Sequence, residues 1–235
     1  MNRQIVSAAC GLWLGLTGAV LAQSAEPVVV VELYTSQGCS SCPPADAYLA
    51  RLAEQPGLMP LALHVDYWDY IGWADSFAQA KFTDRQRAYA AASGSRTIYT
   101  PQMVVNGVDL AVGSDEALVN GQIRRHQKAS AVVTLQVTRA GSSLAITAHS
   151  LAPLPGPLRV QLVHYIPSES VAIKRGENAG KTVLYRNVVT SWQQVGSWSG
   201  AGDLELNVPA AGAGPVVVIV QSDGAGPILA AVSLR

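Results

Sequence analysis

Two cysteines, Cys39 and Cys42, lie between an apolar run and a segment with helical periodicity. Residues 28–34 are almost all apolar, which predicts a buried strand. From Ala45 onward, apolar residues recur at the i, i+3, i+4 and i+7 spacing of one helix face. A C-x-x-C pair at such a turn has its sulfurs within disulfide reach, at the helix end that stabilises a thiolate. We interpret the rest of the chain as the scaffold that presents this pair.

Residues 1–22 have the pattern of a cleaved signal peptide. A positively charged N-terminus precedes an apolar segment, residues 5–21, and Ala22 fits the small-residue rule for cleavage. An uncleaved anchor is the alternative. Cys10 lies inside the apolar segment and would leave with the signal. We therefore expect a periplasmic or secreted protein, with no membrane attachment after cleavage and only the C-x-x-C pair as cysteines.

Composition and cysteine spacing limit the function further. A disulfide across two residues removes little entropy from the unfolded chain, so stabilisation is a weak reason for the pair. Redox or metal chemistry is favoured over an inert local disulfide. The formal net charge is zero, which argues against nucleic acid as a partner. With 49% hydrophobic residues, the chain can bury a sizeable core.

The chain divides into two parts by its pattern of predicted elements. Residues 28–128 alternate strands and helices, whereas residues 131–235 contain short strands separated by Gly, Pro and Ser, as in an antiparallel sandwich. We predict an α/β domain over 28–128, followed by an all-β antiparallel sandwich domain over 131–235. Local sequence signals in the first part predict the following elements, in chain order: a strand at 28–35, a helix at about 45–55, a strand at 58–66, a helix begun by a Thr83/Gln86 capping box, an Asn106-Gly107 hairpin turn and a last helix after Ser114.

The order β, C-x-x-C, α, β, α, β, β, α resembles the thioredoxin fold. Thr100-Pro101, which opens the third predicted strand, is similar to the cis-proline that thioredoxins place beside the two sulfurs. Longer stretches resemble the exported bacterial family called domain of unknown function 1223. These stretches are residues 32–46, 64–70, 99–105 and 176–181. The resemblance implies a thioredoxin-like fold in a secreted protein and implies no particular reaction.

Within this resemblance, Cys39 is the expected nucleophile, because it lies nearer the strand end and on the side of the turn we expect to be more exposed. Cys42 would then resolve the mixed disulfide. Glu32 is the candidate for the buried carboxylate that takes the proton of the resolving thiol. The alternatives are that Glu32 faces solvent, and that Asp66 or Asp69 takes this role.

The remaining candidate residues concern substrate binding. Pro101 is expected to shape a groove for a substrate backbone and Thr100 to line it; a simple strand-entry proline is the alternative. Tyr67 and Trp68, with neighbouring aromatic residues, are candidates for an apolar rim that receives a peptide. Packing between a helix and the second domain is the alternative for these rings. His64 is interpreted as a core histidine.

We predict an exported thiol–disulfide oxidoreductase that uses Cys39 and Cys42 on protein cysteines. Its partners would be thiol- or disulfide-bearing proteins and an unidentified redox partner, and it would need no cofactor. One alternative is a non-enzymatic carrier of a soft metal such as Cu(I), bound by the two cysteines and His64. The other is a redox-inert thioredoxin-like interaction module.

Overall fold

The computed structural model describes residues 23–24, 28–210 and 214–234. The predicted signal peptide, with Cys10 and the cleavage site, lies outside these residues. The described elements are β1 (Gln23–Ser24), β2 (Val29–Thr35), α1 (Pro43–Leu52), β3 (Leu58–His64), α2 (Ala80–Ala92), β4 (Gln102–Val105), β5 (Asp109–Val112), α3 (Glu116–Gln127), β6 (Val133–Ala140), β7 (Ser143–Ser150), β8 (Leu158–Ala172), β9 (Thr182–Trp198), β10 (Leu204–Pro209), β11 (Val216–Ser222) and β12 (Ile228–Leu234).

The strands form a mixed sheet and a second, antiparallel sheet. The mixed sheet has eight strands in the order β12-β11-β8-β9-β3-β2-β4-β5. Strand β2 is parallel to β3 and antiparallel to β4. The join between the first and second parts of the chain is a parallel contact between β3 and β9, with Ala62 opposite Val188. The mixed sheet therefore crosses the boundary that the sequence predicts between residues 128 and 131.

Strand β2 is buried along its whole length and separates two cores. Successive side chains of a strand point to opposite faces. Val29, Val31 and Leu33 pack with α1 and α3 on one face. Val30 and Tyr34 pack with α2 on the other. The predicted order of strands and helices in the first part is confirmed.

The second sheet has the order β1-β6-β7-β10. It packs through a third core against β8, β11 and β12 of the mixed sheet. Strands β6, β7 and β10 show the alternation of buried and exposed residues that the sandwich prediction requires. The predicted antiparallel strands are therefore present, but one layer of the sandwich is the continuation of the mixed sheet.

Two helix starts differ from the sequence prediction. Helix α2 begins at Ala80, three residues before Thr83. Thr83 is buried and its hydroxyl donates to Asp66 at 2.6 Å, so it does not cap the helix. Helix α1 begins at Pro43, because a proline in the first turn lacks only an N–H that would have no helical partner. None of the described helices has the length and apolarity needed to span a bilayer.

Candidate redox site

The C-x-x-C turn connects β2 to α1. Cys39 and Cys42 form a disulfide, with their Cα atoms 5.4 Å apart. The amide of Cys42 donates to the carbonyl oxygen of Cys39 at 3.2 Å. The Cys42 carbonyl in turn accepts from the amides of Ala45 and Asp46 in the first turn of α1. The two sulfurs are thus fixed at the N-terminus of the helix, as the sequence predicts.

The burial of the sulfurs differs from the prediction. Cys39 is 1% exposed and Cys42 is 0% exposed. The intervening residues Ser40 and Ser41 are exposed, so the disulfide lies directly beneath a solvated turn. The expectation that Cys39 occupies an exposed position is wrong, because residues from distant parts of the chain pack around the turn.

A cis peptide bond joins Thr100 to Pro101 next to this turn, as predicted. The Ser41 hydroxyl donates to the carbonyl oxygen of Thr100 at 3.5 Å and lies 3.4 Å from Cys39 Sγ. Ser41 therefore connects the disulfide to the cis bond. A Cβ added to Gly113 would lie 3.1 Å from Pro101 and 3.2 Å from Ala45. Glycine at this position lets the proline approach helix α1 closely.

The aromatic segment after β3 contributes hydrogen bonds to the site. The indole Nε1 of Trp68 donates to Thr100 Oγ1 at 2.7 Å. The indole Nε1 of Trp73 donates to Gln37 Oε1, at 2.8 Å, in the loop before Cys39. The Tyr67 hydroxyl donates to Gln86 on α2, and burial raises the pKa of Tyr67 to about 12. Trp68 thus contacts the predicted groove residue, whereas Tyr67 is anchored to the helix.

Glu32 does not lie beside the sulfurs. It shares its face of β2 with Val30 and Tyr34, toward α2, whereas α1 packs on the opposite face. Its carboxylate accepts two hydrogen bonds from Arg85 and one from Tyr89. The prediction of Glu32 as proton acceptor for the resolving thiol is therefore corrected. Arg85 and Tyr89 already satisfy this carboxylate.

A different buried carboxylate, that of Asp46, lies about one helical turn after Cys42, and the Asp46 amide donates to the Cys42 carbonyl at 3.1 Å. Asp46 follows Cys42 by four residues on α1, and residues with this spacing share a helix face. Its side chain is buried and its Oδ1 accepts from Thr35 Oγ1 at 2.8 Å. Its Oδ2 has no partner among the described residues. Burial raises the pKa of Asp46 to about 7. The charge of Asp75 also raises this pKa, whereas His64 and the hydrogen bond from Thr35 lower it.

His64 and Asp75 form a buried pair linked to the C-x-x-C turn. His64 Nδ1 lies 2.6 Å from Asp75 Oδ2, and both side chains are 0% exposed. The same Asp75 oxygen accepts from the amide of Gln37 at 2.8 Å. The prediction of His64 as a core histidine is confirmed by its burial, although its Nε2 has no partner in the described part of the chain. Only the i+4 spacing from Cys42 could have singled out Asp46 in the sequence.

The loop between β8 and β9 also contacts the turn. The side-chain Nδ2 of Asn178 donates to the carbonyl oxygens of Gln37, at 3.0 Å, and Cys39, at 2.8 Å. Of the two alternatives to Glu32 named above, Asp66 accepts from Thr83, and Asp69 accepts from the amide of Asp75. Among the described residues, no group of three or more His, Cys, Asp and Glu side chains is arranged to hold a metal ion.

Comparisons with known proteins place this chain in a family. It is similar to the crystal structure of protein AGR_C_4864 from Agrobacterium tumefaciens, with 30% identity, a TM-score of 0.77, and coverage of 90% of this chain and 96% of that one. It is also similar in fold to HBP35 of Porphyromonas gingivalis, with 16% identity, a TM-score of 0.64, and coverage of 90% and 76%. No curated protein matches it. The family model described as "Protein of unknown function (DUF1223)" matches residues 30–221, and the chain belongs to this family.

Proposed function

We propose that this protein is an exported, thioredoxin-like thiol–disulfide oxidoreductase that acts on protein cysteines in the periplasm or outside the cell. One observation carries the proposal. A C-x-x-C disulfide at a strand-to-helix turn is connected through Ser41 to the cis Thr100-Pro101 bond. We infer that the backbone around Thr100 receives a substrate segment, whose sulfur exchanges with Cys39.

The reaction starts from the disulfide form. A substrate thiolate attacks Cys39 Sγ, and Cys42 Sγ leaves with the electron pair of the broken S–S bond. A second substrate thiolate then attacks the substrate sulfur of the mixed disulfide and releases Cys39. The substrate dithiol has lost two electrons to form a disulfide, and the C-x-x-C pair has gained them. The same steps in reverse reduce a substrate disulfide.

Asp46 is the group that exchanges a proton with Cys42 in this scheme. It shares a helix face with Cys42, and its pKa of about 7 allows it to hold or release a proton near neutral pH. When Cys42 leaves as a thiolate, the protonated Asp46 supplies its proton. When Cys42 attacks in the reverse direction, the ionised Asp46 accepts it. Glu32, paired with Arg85 on the other face of β2, has no part in these steps.

The test is a trapping experiment with the full chain. A Cys42→Ser variant, expressed in a bacterium that exports it, is expected to accumulate mixed disulfides on Cys39, detected by non-reducing electrophoresis and mass spectrometry. The control is the double variant Cys39→Ser/Cys42→Ser, which cannot form them. If the single variant carries no more disulfide-linked protein than the double variant, the oxidoreductase proposal fails.

The burial of both sulfurs supports a second candidate, a redox-inert interaction module. With Cys39 1% exposed and Cys42 0% exposed, the disulfide would act as a clip that holds the turn against α1. In that case the double cysteine variant would lose thermal stability, and the Cys42→Ser variant would trap no partner. The first candidate predicts trapping on Cys39, so the same experiment separates the two.

A further inference from the structure

The hairpin formed by β8 and β9 extends beyond the mixed sheet. Strand β8 pairs with β11 only as far as His164, opposite Val216. Beyond this point, residues 168–172 of β8 pair with residues 182–186 of β9 as a ribbon. The connecting segment, residues 173–181, is called the tip loop below. The ribbon carries the tip loop to the C-x-x-C turn.

A buried side chain, that of Asn178, joins the tip loop to the turn. Between residues 174 and 180, Asn178 is buried and its neighbours are exposed. Its Nδ2 donates to the carbonyl oxygens on either side of Gly38, those of Gln37 and Cys39. Its Oδ1 accepts from Lys181 Nζ at 2.8 Å, which orients the amide so that Nδ2 faces the turn. The Asn178 side chain therefore joins the tip loop to the C-x-x-C turn.

The backbone of the tip loop is stabilised by bonds within the loop. The amide of Ile173 donates to the carbonyl of Lys181, that of Gly180 to Ile173, and that of Lys181 to Asn178. These bonds do not depend on contact with the C-x-x-C turn. At Gly176, with φ of +73°, an added Cβ would lie 3.2 Å from Trp73 Cβ. The loop therefore packs closely on Trp73, and its internal bonds hold its shape independently of the turn.

We propose that the tip loop is a lid that controls access to the Cys39–Cys42 disulfide, with Asn178 as its latch. A thiolate must approach Cys39 Sγ in line with the S–S bond, and 1% exposure of Cys39 leaves no room for that approach. When Asn178 breaks its hydrogen bonds to the turn, the tip loop separates from the turn and a thiolate can approach from that side. The biological role of the lid rests on the oxidoreductase function proposed above, but the lid itself is tested with a small reductant.

The test is the rate at which dithiothreitol reduces the disulfide in the full chain, measured by trapping free thiols over time. Asn178→Asp replaces the donating amide with a carboxylate that repels both carbonyls, and Asn178→Ala removes the latch without adding charge. Both are expected to accelerate reduction by about tenfold or more, because two hydrogen bonds of ordinary strength are lost. Circular dichroism and thermal unfolding verify that the variants remain folded.

The matched control is Asn187→Asp at the base of the same hairpin. Asn187 is also buried, and its Nδ2 donates to a backbone carbonyl away from the disulfide, that of Pro60, at 2.8 Å. The Asn187→Asp variant is expected to be reduced at the same rate as the parent protein. Equal rates in all variants, or equal acceleration in Asn178→Asp and Asn187→Asp, would overturn the lid. Because dithiothreitol is not a protein substrate, this result is independent of whether Cys42→Ser traps a partner.

Discussion

Arg85 on α2 pairs with Glu32 on β2 through two hydrogen bonds, Nε to Oε2 at 2.7 Å and Nη2 to Oε1 at 2.8 Å. Its guanidinium also lies 3.8 Å from the ring centroid of Trp192, and its Nη2 donates to Gln221 at 3.1 Å. Trp192 and Gln221 belong to the second part of the chain. The ion pair therefore connects the two parts through a buried polar network.

Removal of one partner of this pair is expected to destabilise the fold strongly. Arg85→Ala leaves the carboxylate of Glu32 buried without a counter-charge, at a cost of about 3–5 kcal/mol in the free energy of unfolding. The double variant Glu32→Gln/Arg85→Met is expected to recover most of this loss. Urea unfolding at neutral pH measures both. A small loss in Arg85→Ala would contradict the prediction.

The buried carboxyl group of Asp46 is expected to make stability depend on pH. The unfolded chain releases this proton near pH 3.8 and the folded chain near pH 7. Between these values the folded state binds more protons, so its stability is greatest below the unfolded pKa and falls as the pH rises toward the folded pKa. The full difference is on the order of 4 kcal/mol. Urea unfolding from about pH 4 to about pH 8 measures it.

Asp46→Asn is expected to abolish most of this fall, because the amide does not ionise. His64, Asp75 and Tyr185 face the same buried region from other elements. Asp84→Asn is the control, since the side chain of Asp84 is 71% exposed. A slope in Asp46→Asn as steep as in the parent protein would show that Asp46 is not the titrating group.

The Asn106-Gly107 turn is expected to tolerate no side chain at Gly107. Both residues have positive φ, +51° and +72°, as the predicted tight hairpin turn requires. A Cβ on Gly107 would lie 2.5 Å from the carbonyl oxygen of Gly226. Gly107→Ala is therefore expected to lose about 3 kcal/mol or more of unfolding free energy.

Gly94→Ala is the matched control for this substitution. Gly94 has a similar φ of +75°, but nothing lies within 4 Å of an added Cβ. It is expected to lose only the cost of the left-handed backbone, about 1 kcal/mol. Thermal or urea unfolding gives the loss of unfolding free energy in each variant, and the difference between the two losses is the cost of the clash with Gly226. Equal losses would show that the turn moves away from Gly226 without penalty.

Trp68→Phe is expected to slow thiol–disulfide exchange more than it lowers stability. The substitution keeps an aromatic ring but removes the Nε1–H bond that holds Thr100 beside the cis bond. We expect a loss of about 1 kcal/mol in stability and a decrease of about three- to tenfold in the rate of exchange with a cysteine peptide. Trp198→Phe removes a similar bond to Gly202, far along the chain, and should leave the rate unchanged.

Local signals in the sequence were sufficient for the elements of the first part. The C-x-x-C turn and the Asn106-Gly107 hairpin depend on residues close together in the chain, whereas the cis bond before Pro101 was expected only from the resemblance to thioredoxins. The face occupied by Glu32 could not be predicted, because β2 is apolar and buried on both sides and offers no alternation. The burial of Cys39 could not be predicted either, since residues distant in the chain pack around the turn, among them Asn178, which bonds the Cys39 carbonyl from 139 residues away.

The single parallel contact between β3 and β9 has a consequence for any attempt to divide this protein. If the chain were cut after residue 128, β3 would lose its neighbour β9. The side of β3 that now faces Val188 would then be an unpaired strand edge among apolar residues. Such an edge is a template for association with other chains. The fragment that carries the disulfide would therefore aggregate, and a shortened form of this protein should retain β9, which pairs with β3.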